Sequence, residues 1–293
     1  MSGNLKLERP CIMKTYKEHY EYCTNTWDGM RKFTSPKYDS VYDLKVDNSL
    51  LDSIITDEYY DLIKKIRFKI NEKIENNNGC FLDNTGHAIR VNEWNDIEEL
   101  DLLSDMIIPI IEWNIFRCNV KIEFLHPYRN LTNSVYSKNE SRPVNVQSSW
   151  QWHYDDCPPE FVKLFIHLNE VTEDNGCLKY IQDSDGSIPT LPCSRPAPGV
   201  FGEKAYAGSR IPENVIEKKL NEGSKVVNVV GNAGSYAICT PNIYHRASCP
   251  YPNTIPRDVL FFFIRPSIKR YSSYLQDTDS YLPERNVKQY NLD

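Results

Sequence analysis

A mainly β fold, a sandwich or jelly roll with helices supporting one face, is what the sequence predicts. Three observations carry this. After residue 118, short runs rich in Val, Ile, Phe and Tyr recur between Asn, Gly and Pro. Two segments with helical spacing of apolar residues precede them. No repeat or linker interrupts the 293 residues, so one domain spanning 1–293 is expected.

Residues 1–48 are rich in Tyr and Lys without a clean period, and read as an irregular arm. The region 49–117 reads as helical support. In 49–75, Leu51, Ile54, Ile55, Tyr59, Leu62, Ile63, Ile66 and Ile70 recur at three-to-four spacing, and Asn76, Asn77, Asn78 and Gly79 stop the helix. A second helix is expected over 96–117, with Pro109 bending it or marking a boundary. The jelly-roll core is expected over 118–270. Its strands are predicted at 120–128, 148–155, 161–171, 225–230, 234–240 and 258–267. The stretch 183–223 holds Pro189, Pro192, Pro196, Pro198 and Pro212 and reads as a long irregular, lid-like insertion.

Composition narrows the class. The formal net charge of -6 argues against a general nucleic-acid binder. No apolar run approaches a membrane span, and the first residues lack an apolar signal core. The nine cysteines are scattered without a CxxC pair, so they read as small core residues of a reduced, cytoplasmic protein.

The chemistry concentrates in WQWHYDDCPPEFVKLFIHLNEVTEDNGCLKYI. His153 and Asp155 are two apart, so on a strand they share a face and can reach one cation. Two histidines and one carboxylate on one triangular face leave positions open, which suits Fe(II) oxygen chemistry. His245, just after the strand GSYAICT, is the candidate third ligand. Arg257 follows twelve residues later, before the apolar run DVLFFFI, and its fork can hold a carboxylate. Arg265 is its rival. An HxD pair alone is a weak signal; its weight comes from this company. Gln147 and Ser149 share the parity of the ligands and are candidates for the co-substrate or for supporting the ligands. Trp150 and Trp152 have the opposite parity and are expected to face away, as is Asp156. His126 and His167 read as structural, while His87 in its loop is a candidate pocket residue.

The segment from Trp150 to Ile181 resembles the phytanoyl-CoA dioxygenase-like family of iron(II)/2-oxoglutarate oxygenases. The shared features are His153-Tyr154-Asp155, the turn Leu168-Asn169-Glu170-Val171 and the turn Asn175-Gly176-Cys177-Leu178. His245-Arg246 matches the distal histidine and Arg257 the co-substrate arginine; the likeness spans roughly 145–267. A Gly-Ser-His segment common after the second turn in the family is replaced here by Ile181-Gln182-Asp183-Ser184-Asp185-Gly186. The resemblance implies a double-stranded β-helix (jelly roll, cupin-like). It implies Fe(II), 2-oxoglutarate and O2 as cofactor and co-substrates, with succinate released.

The expected function is oxidation of an unactivated C–H bond in a small polar metabolite or natural-product intermediate. Related halogenases lack the carboxylate ligand, so Asp155 favours hydroxylation, desaturation or ring closure. A protein side-chain hydroxylase and a non-enzymatic cupin-like scaffold are the alternatives. Arg257 argues against the scaffold, which has no need of a co-substrate clamp. The insertion reads either as a solvated surface loop or as a lid in which Arg195, Lys204, Tyr206 and Arg210 hold an anionic or strongly polar substrate.

Overall fold

The computed structural model describes residues 44–83, 87–116, 120–131, 148–157, 161–194, 203–251 and 254–266. The predicted arm up to residue 43, Gln147 and Arg195 lie outside the described residues. Among the described residues the strands in chain order are β1 (Val46–Asp47), β2 (Cys80–Leu82), β3 (Ala88–Val91), β4 (Val120–Asn130), β5 (Val162–His167), β6 (Leu178–Gln182), β7 (Lys225–Val229), β8 (Tyr236–Cys239), β9 (His245–Ala247) and β10 (Asp258–Pro266). The α-helices are α1 (Asp57–Glu75), α2 (Glu98–Ile111) and α3 (Glu213–Asn221).

The strands form two antiparallel sheets, the jelly roll expected from the sequence. The larger has the order β1-β8-β5-β10-β4-β3-β2 and the smaller the order β7-β6-β9. Alternation along each central strand decides its two environments. Val162, Leu164 and Ile166 of β5, with Leu260, Phe262 and Ile264 of β10, join the main core with the helices. Lys163, Phe165 and His167 have the opposite parity, and the register sets them beside Phe263, Phe261 and Val259. Phe124, His126 and Tyr128 of β4 extend the same three rows. The register of β10 on β4 shifts between Phe263 and Ile264, which leaves Glu123 as the extra residue of a bulge. One face of the large sheet is thus plain hydrocarbon, whereas the other mixes rings with a lysine and two histidines.

The helices cover the apolar face. Thr56 caps α1 by accepting from Tyr59 N at 3.3 Å, and Asp57 and Glu58 suit the positive end of the helix dipole. Tyr59, Leu62, Ile63, Ile66 and Ile70 form its buried stripe. The Tyr59 hydroxyl donates to Gly234 O at 2.7 Å. Gly234 has φ 88°, and a Cβ there would stand 2.8 Å from the Tyr60 ring, so only glycine fits this close approach.

Several expectations need correction. The first helix begins at Asp57, not 49, after a short 3-10 turn at Asp52–Ile54. The second ends at Ile111 and passes into a π-helix, Glu112–Phe116, with Pro109 inside the helix. Proline lacks the N–H that continues the ladder, and a widened turn follows it. The predicted strand 148–155 is instead a 3-10 turn, Ser148–Trp150, followed by a single bridge residue, His153. The insertion 183–223 is not irregular throughout. It contains α3 and a 3-10 turn at Ala207–Ser209. Ile216 of α3 packs with Trp152, Tyr154, Ile181, Ile211 and Tyr244 in a second cluster. Trp152 is buried in that cluster, and strand parity does not decide its direction because 148–155 is not a strand. Among the described residues no helix is long and apolar enough to cross a membrane.

Candidate metal centre

Two histidines far apart in sequence are joined by their backbones. His153 N donates to His245 O at 2.9 Å and His245 N to His153 O at 3.0 Å. This reciprocal pair sets both rings on one side, with centroids 4.3 Å apart. Each ring is then oriented by its own neighbour. His153 Nδ1 lies 2.7 Å from Gln151 O and His245 Nδ1 lies 2.9 Å from Ile243 O. Carbonyls accept only, so both rings carry their proton on Nδ1 and turn a lone pair on Nε2 inward. Asp155 N donates to Pro241 O at 3.2 Å, which brings the carboxylate to the same point. Asp155 Oδ1 is 3.9 Å from His153 Nε2, and Oδ2 is 3.5 Å from His245 Nε2. His153, Asp155 and His245 offer one ligand atom each within 4.8 Å of one another and could hold a metal ion. The donor set, two neutral imidazoles and a carboxylate, fits non-haem Fe(II).

The electrostatics agree. Burial, reinforced by the neighbouring histidine, holds His153 well below its ordinary pKa. Burial lowers His245 to about 4 despite the opposing Asp155. Burial would raise Asp155, but Lys163 and the two histidines outweigh it and leave its pKa at about 2. All three are therefore in ligating form at neutral pH. Lys163, which the sequence reading passed over, forms an ion pair with Asp155 Oδ2. Burial opposes its charge, yet Asp155 prevails and raises its pKa. The alternation of β5 could have exposed this lysine, since it shares parity with His167 rather than with Val162 and Leu164.

Asp156 does point away from the metal ligands. It has φ 52°, a left-handed conformation that costs a non-glycine residue energy. Its side chain accepts from Ser194 N and from Ser194 Oγ, both at 2.7 Å, and Lys204 Nζ lies 3.5 Å away. The ligand loop is thus tied to the insertion. Lys204 also donates to Ser209 Oγ at 3.4 Å. Tyr206 packs against the cluster around Trp152 and hydrogen-bonds Tyr244. Arg210 bridges His153 through its backbone. Its half-buried guanidinium is lowered by burial, with Asp155 opposing. Of the three insertion residues that the structure describes, Arg210 is the one whose charge is felt by both Asp155 and His245. His87 is buried and stacks on Trp150 with centroids 3.7 Å apart. Ser149 is exposed in its turn, so strand parity does not apply to it.

Arg257 is 2% exposed. Its Nη2 donates to Tyr128 Oη at 2.9 Å, and its Nε is buried without a hydrogen-bond partner. An orphaned guanidinium nitrogen fits a carboxylate that the protein does not itself supply. Asn169, from the motif turn, places this arginine. Its Nδ2 donates to Pro256 O at 2.9 Å, and its Oδ1 accepts from Asp258 N at 2.8 Å. The rival Arg265 is engaged in an ion pair with Glu123. The second motif turn is held likewise. Asn175 Oδ1 accepts from Thr172 N, Nδ2 donates to Glu170 O, and Gly176 takes φ 99°.

Two further histidines make a pH prediction. His126 and His167 are each lowered to about 3, chiefly by burial, with Arg90 and Arg257 adding repulsion. In the unfolded chain both take up protons near 6.5. Folded-state stability is therefore intact above that value and lost as pH falls through the window between about 6.5 and 3. The expected slope from these two groups is about 3 kcal/mol per pH unit near pH 5. Urea unfolding of the metal-free protein across this range should show it; a flat profile from pH 6.5 to 5 would mean both rings are solvated.

Residues 131–249 match the family model described as Phytanoyl-CoA dioxygenase (PhyH). No curated protein matches the chain. Among solved structures, EctD from S. alaskensis with bound Fe is 12% identical, with a TM-score of 0.51, covering 86% of this chain and 88% of that one. At that identity the likeness concerns the fold. The alpha-ketoglutarate-dependent epimerase SnoN from nogalamycin biosynthesis is 14% identical, with a TM-score of 0.43 and coverage of 69% and 74%. HygX from Streptomyces hygroscopicus with nickel, 2-oxoglutarate and hygromycin B bound is 14% identical, with a TM-score of 0.41 and coverage of 77% and 83%.

Proposed function

We propose that this chain, whose residues 131–249 match the phytanoyl-CoA dioxygenase family model, is a non-haem iron, 2-oxoglutarate-dependent enzyme that oxidises an unactivated C–H bond of a small polar or anionic metabolite. The outcome is hydroxylation, or radical desaturation or ring closure. The observation that carries this reading is a convergent donor triad together with an unpartnered buried arginine. The Nε2 atoms of His153 and His245 and a carboxylate oxygen of Asp155 converge within 4.8 Å of one another, and the buried Arg257, at the start of a central strand of the large sheet, leaves its Nε without a partner.

His153, Asp155 and His245 would hold Fe(II), and Arg257 with Tyr128 would hold the distal carboxylate of 2-oxoglutarate. When bound, iron with 2-oxoglutarate and O2 supplies the oxidant, and succinate and CO2 leave. The rings of Phe124, Phe161, Phe261 and Phe263 exclude water beside the ligands. Arg210 is the group best placed to attract a negatively charged substrate towards the centre, because Lys204 is already held by Asp156. The six free cysteines among the described residues fit a cytoplasmic setting.

The test is succinate formation and O2 uptake with Fe(II) and 2-oxoglutarate while small metabolites are screened. Stimulation should be greatest with anions, and Arg210→Ala should weaken it about tenfold for such a substrate, in line with one charge-assisted bond. A metal-loaded protein that consumes neither O2 nor 2-oxoglutarate, with or without any candidate, would leave a binding scaffold as the answer.

A further inference from the structure

Lys163 has no part in the function proposed above, yet its ammonium lies among the metal ligands. It pairs with Asp155 Oδ2 and stands 3.5 Å from His245 Nε2. It therefore addresses two of the three atoms that a divalent ion needs. On its other side the rings of Phe261 and Phe165 lie 5.1 and 5.7 Å from Nζ. β5 pairs with β10 and β8 on either side, so the backbone cannot withdraw the side chain. A doubly charged ion and an ammonium repel strongly at contact distance in so dry a site. When the ion enters, Nζ has to turn off Asp155.

Its choices within the protein are few. Besides the metal ligands Asp155 and His245, the thiols of Cys239 and Cys157 lie near enough to influence its charge. Burial pushes the Cys239 thiol up to about 12, so it offers no negative charge at neutral pH. A carboxylate of the ligand would supply a second anion. On the reading above, 2-oxoglutarate stretches from the metal ligands to Arg257. That path follows the inner side of β5, from Lys163 past Phe165 towards His167, whose ring feels the Arg257 charge. Its keto-acid end would then bring a carboxylate towards Lys163, which already stands at the metal ligands.

Resting on that reading, we propose that Lys163 is a positioning residue that couples metal to co-substrate. Its ammonium competes with the divalent ion for Asp155 until the metal-proximal carboxylate of 2-oxoglutarate gives it another partner. The chain would thereby hold metal loosely alone and tightly once co-substrate is present.

Calorimetric titration of the metal-stripped full chain with Co(II), without oxygen, tests this. In the wild type, saturating 2-oxoglutarate should tighten Co(II) by more than about tenfold. Lys163→Met and Lys163→Gln should each bind Co(II) about tenfold more tightly without 2-oxoglutarate. In both, the tightening by 2-oxoglutarate should shrink to about threefold, the part due to chelation alone. Circular dichroism melts establish that the variants are folded. The wild type gives an independent arm. Glutarate has the same length without the keto group, and it should still tighten Co(II) several-fold. The proposal is overturned if folded variants keep the wild-type affinities under both conditions, or if glutarate has no effect on the wild type. A wild type that takes up no Co(II) under any condition overturns the metal centre itself, which is a different result from intact binding without coupling.

Discussion

His153→Ala and His245→Ala each abolish divalent-metal binding and turnover while leaving a folded protein. Each change removes one of two imidazoles whose Nδ1 is already committed to a carbonyl, so no other atom of that ring stands in. The remaining histidine and carboxylate cannot enclose an ion, and Co(II) affinity should fall by more than about a hundredfold, beyond the usual effect of losing a supporting residue. Asp155→Ala behaves differently. It also strands the buried Lys163 ammonium, and breaking a buried pair from one side costs about 3–5 kcal/mol. This variant should melt well below the histidine variants. Asp155→Ala combined with Lys163→Met should recover most of that loss, because no unpaired charge is left. An Asp155→Ala protein as stable as the wild type would show that Lys163 escapes to water.

Arg257→Ala should weaken 2-oxoglutarate binding by about 10- to 150-fold, the equivalent of about 1.5–3 kcal/mol for a charge-assisted bond. The effect should fall on the 2-oxoglutarate KM with little change in Co(II) affinity measured alone. Arg257→Lys should recover part of it, since an ammonium brings the charge without the fork. Arg265→Ala should leave the 2-oxoglutarate KM unchanged, because that guanidinium serves Glu123. A larger defect from Arg265 than from Arg257 would exchange their roles. Asn169→Ala should resemble a mild form of Arg257→Ala, as Asn169 clasps the backbone on both sides of the arginine.

The central strands were legible because Val162–His167 and Asp258–Pro266 combine β-branched and aromatic residues between clear stops. His153 and Asp155 were identified correctly as a convergent pair, but for a reason that holds only in part. They lie in irregular chain, where His153 alone bridges to Arg210 and His245, rather than on a strand, and it is the backbone pairing of His153 with His245 that orients the first ring. The same missing strand removes the parity argument for Ser149. The edge strands β1 and β2 and the neighbouring β3 are only two to four residues long, too short to show a period. α3 has nine residues and only a narrow apolar stripe, so proline count masked it. Lys163 was hidden inside an apolar run. Its importance depends on what lies across the sandwich, and local sequence carries no record of that.

β5 also bears on how this protein can change by mutation. Lys163 beside the metal ligands and His167 beside Arg257 are four residues apart on one strand, which fixes a span of about 13 Å. That length is a property of the backbone, and no side-chain replacement alters it. Only an inserted residue would, and it would invert every side chain beyond it. Choice of the five-carbon diacid is consequently shielded from point mutation. The residues around Arg210, held by a turn and a side-chain latch, have no such protection. On the function proposed above, descendants of this sequence can trade one target for another there while the fuel they burn stays the same.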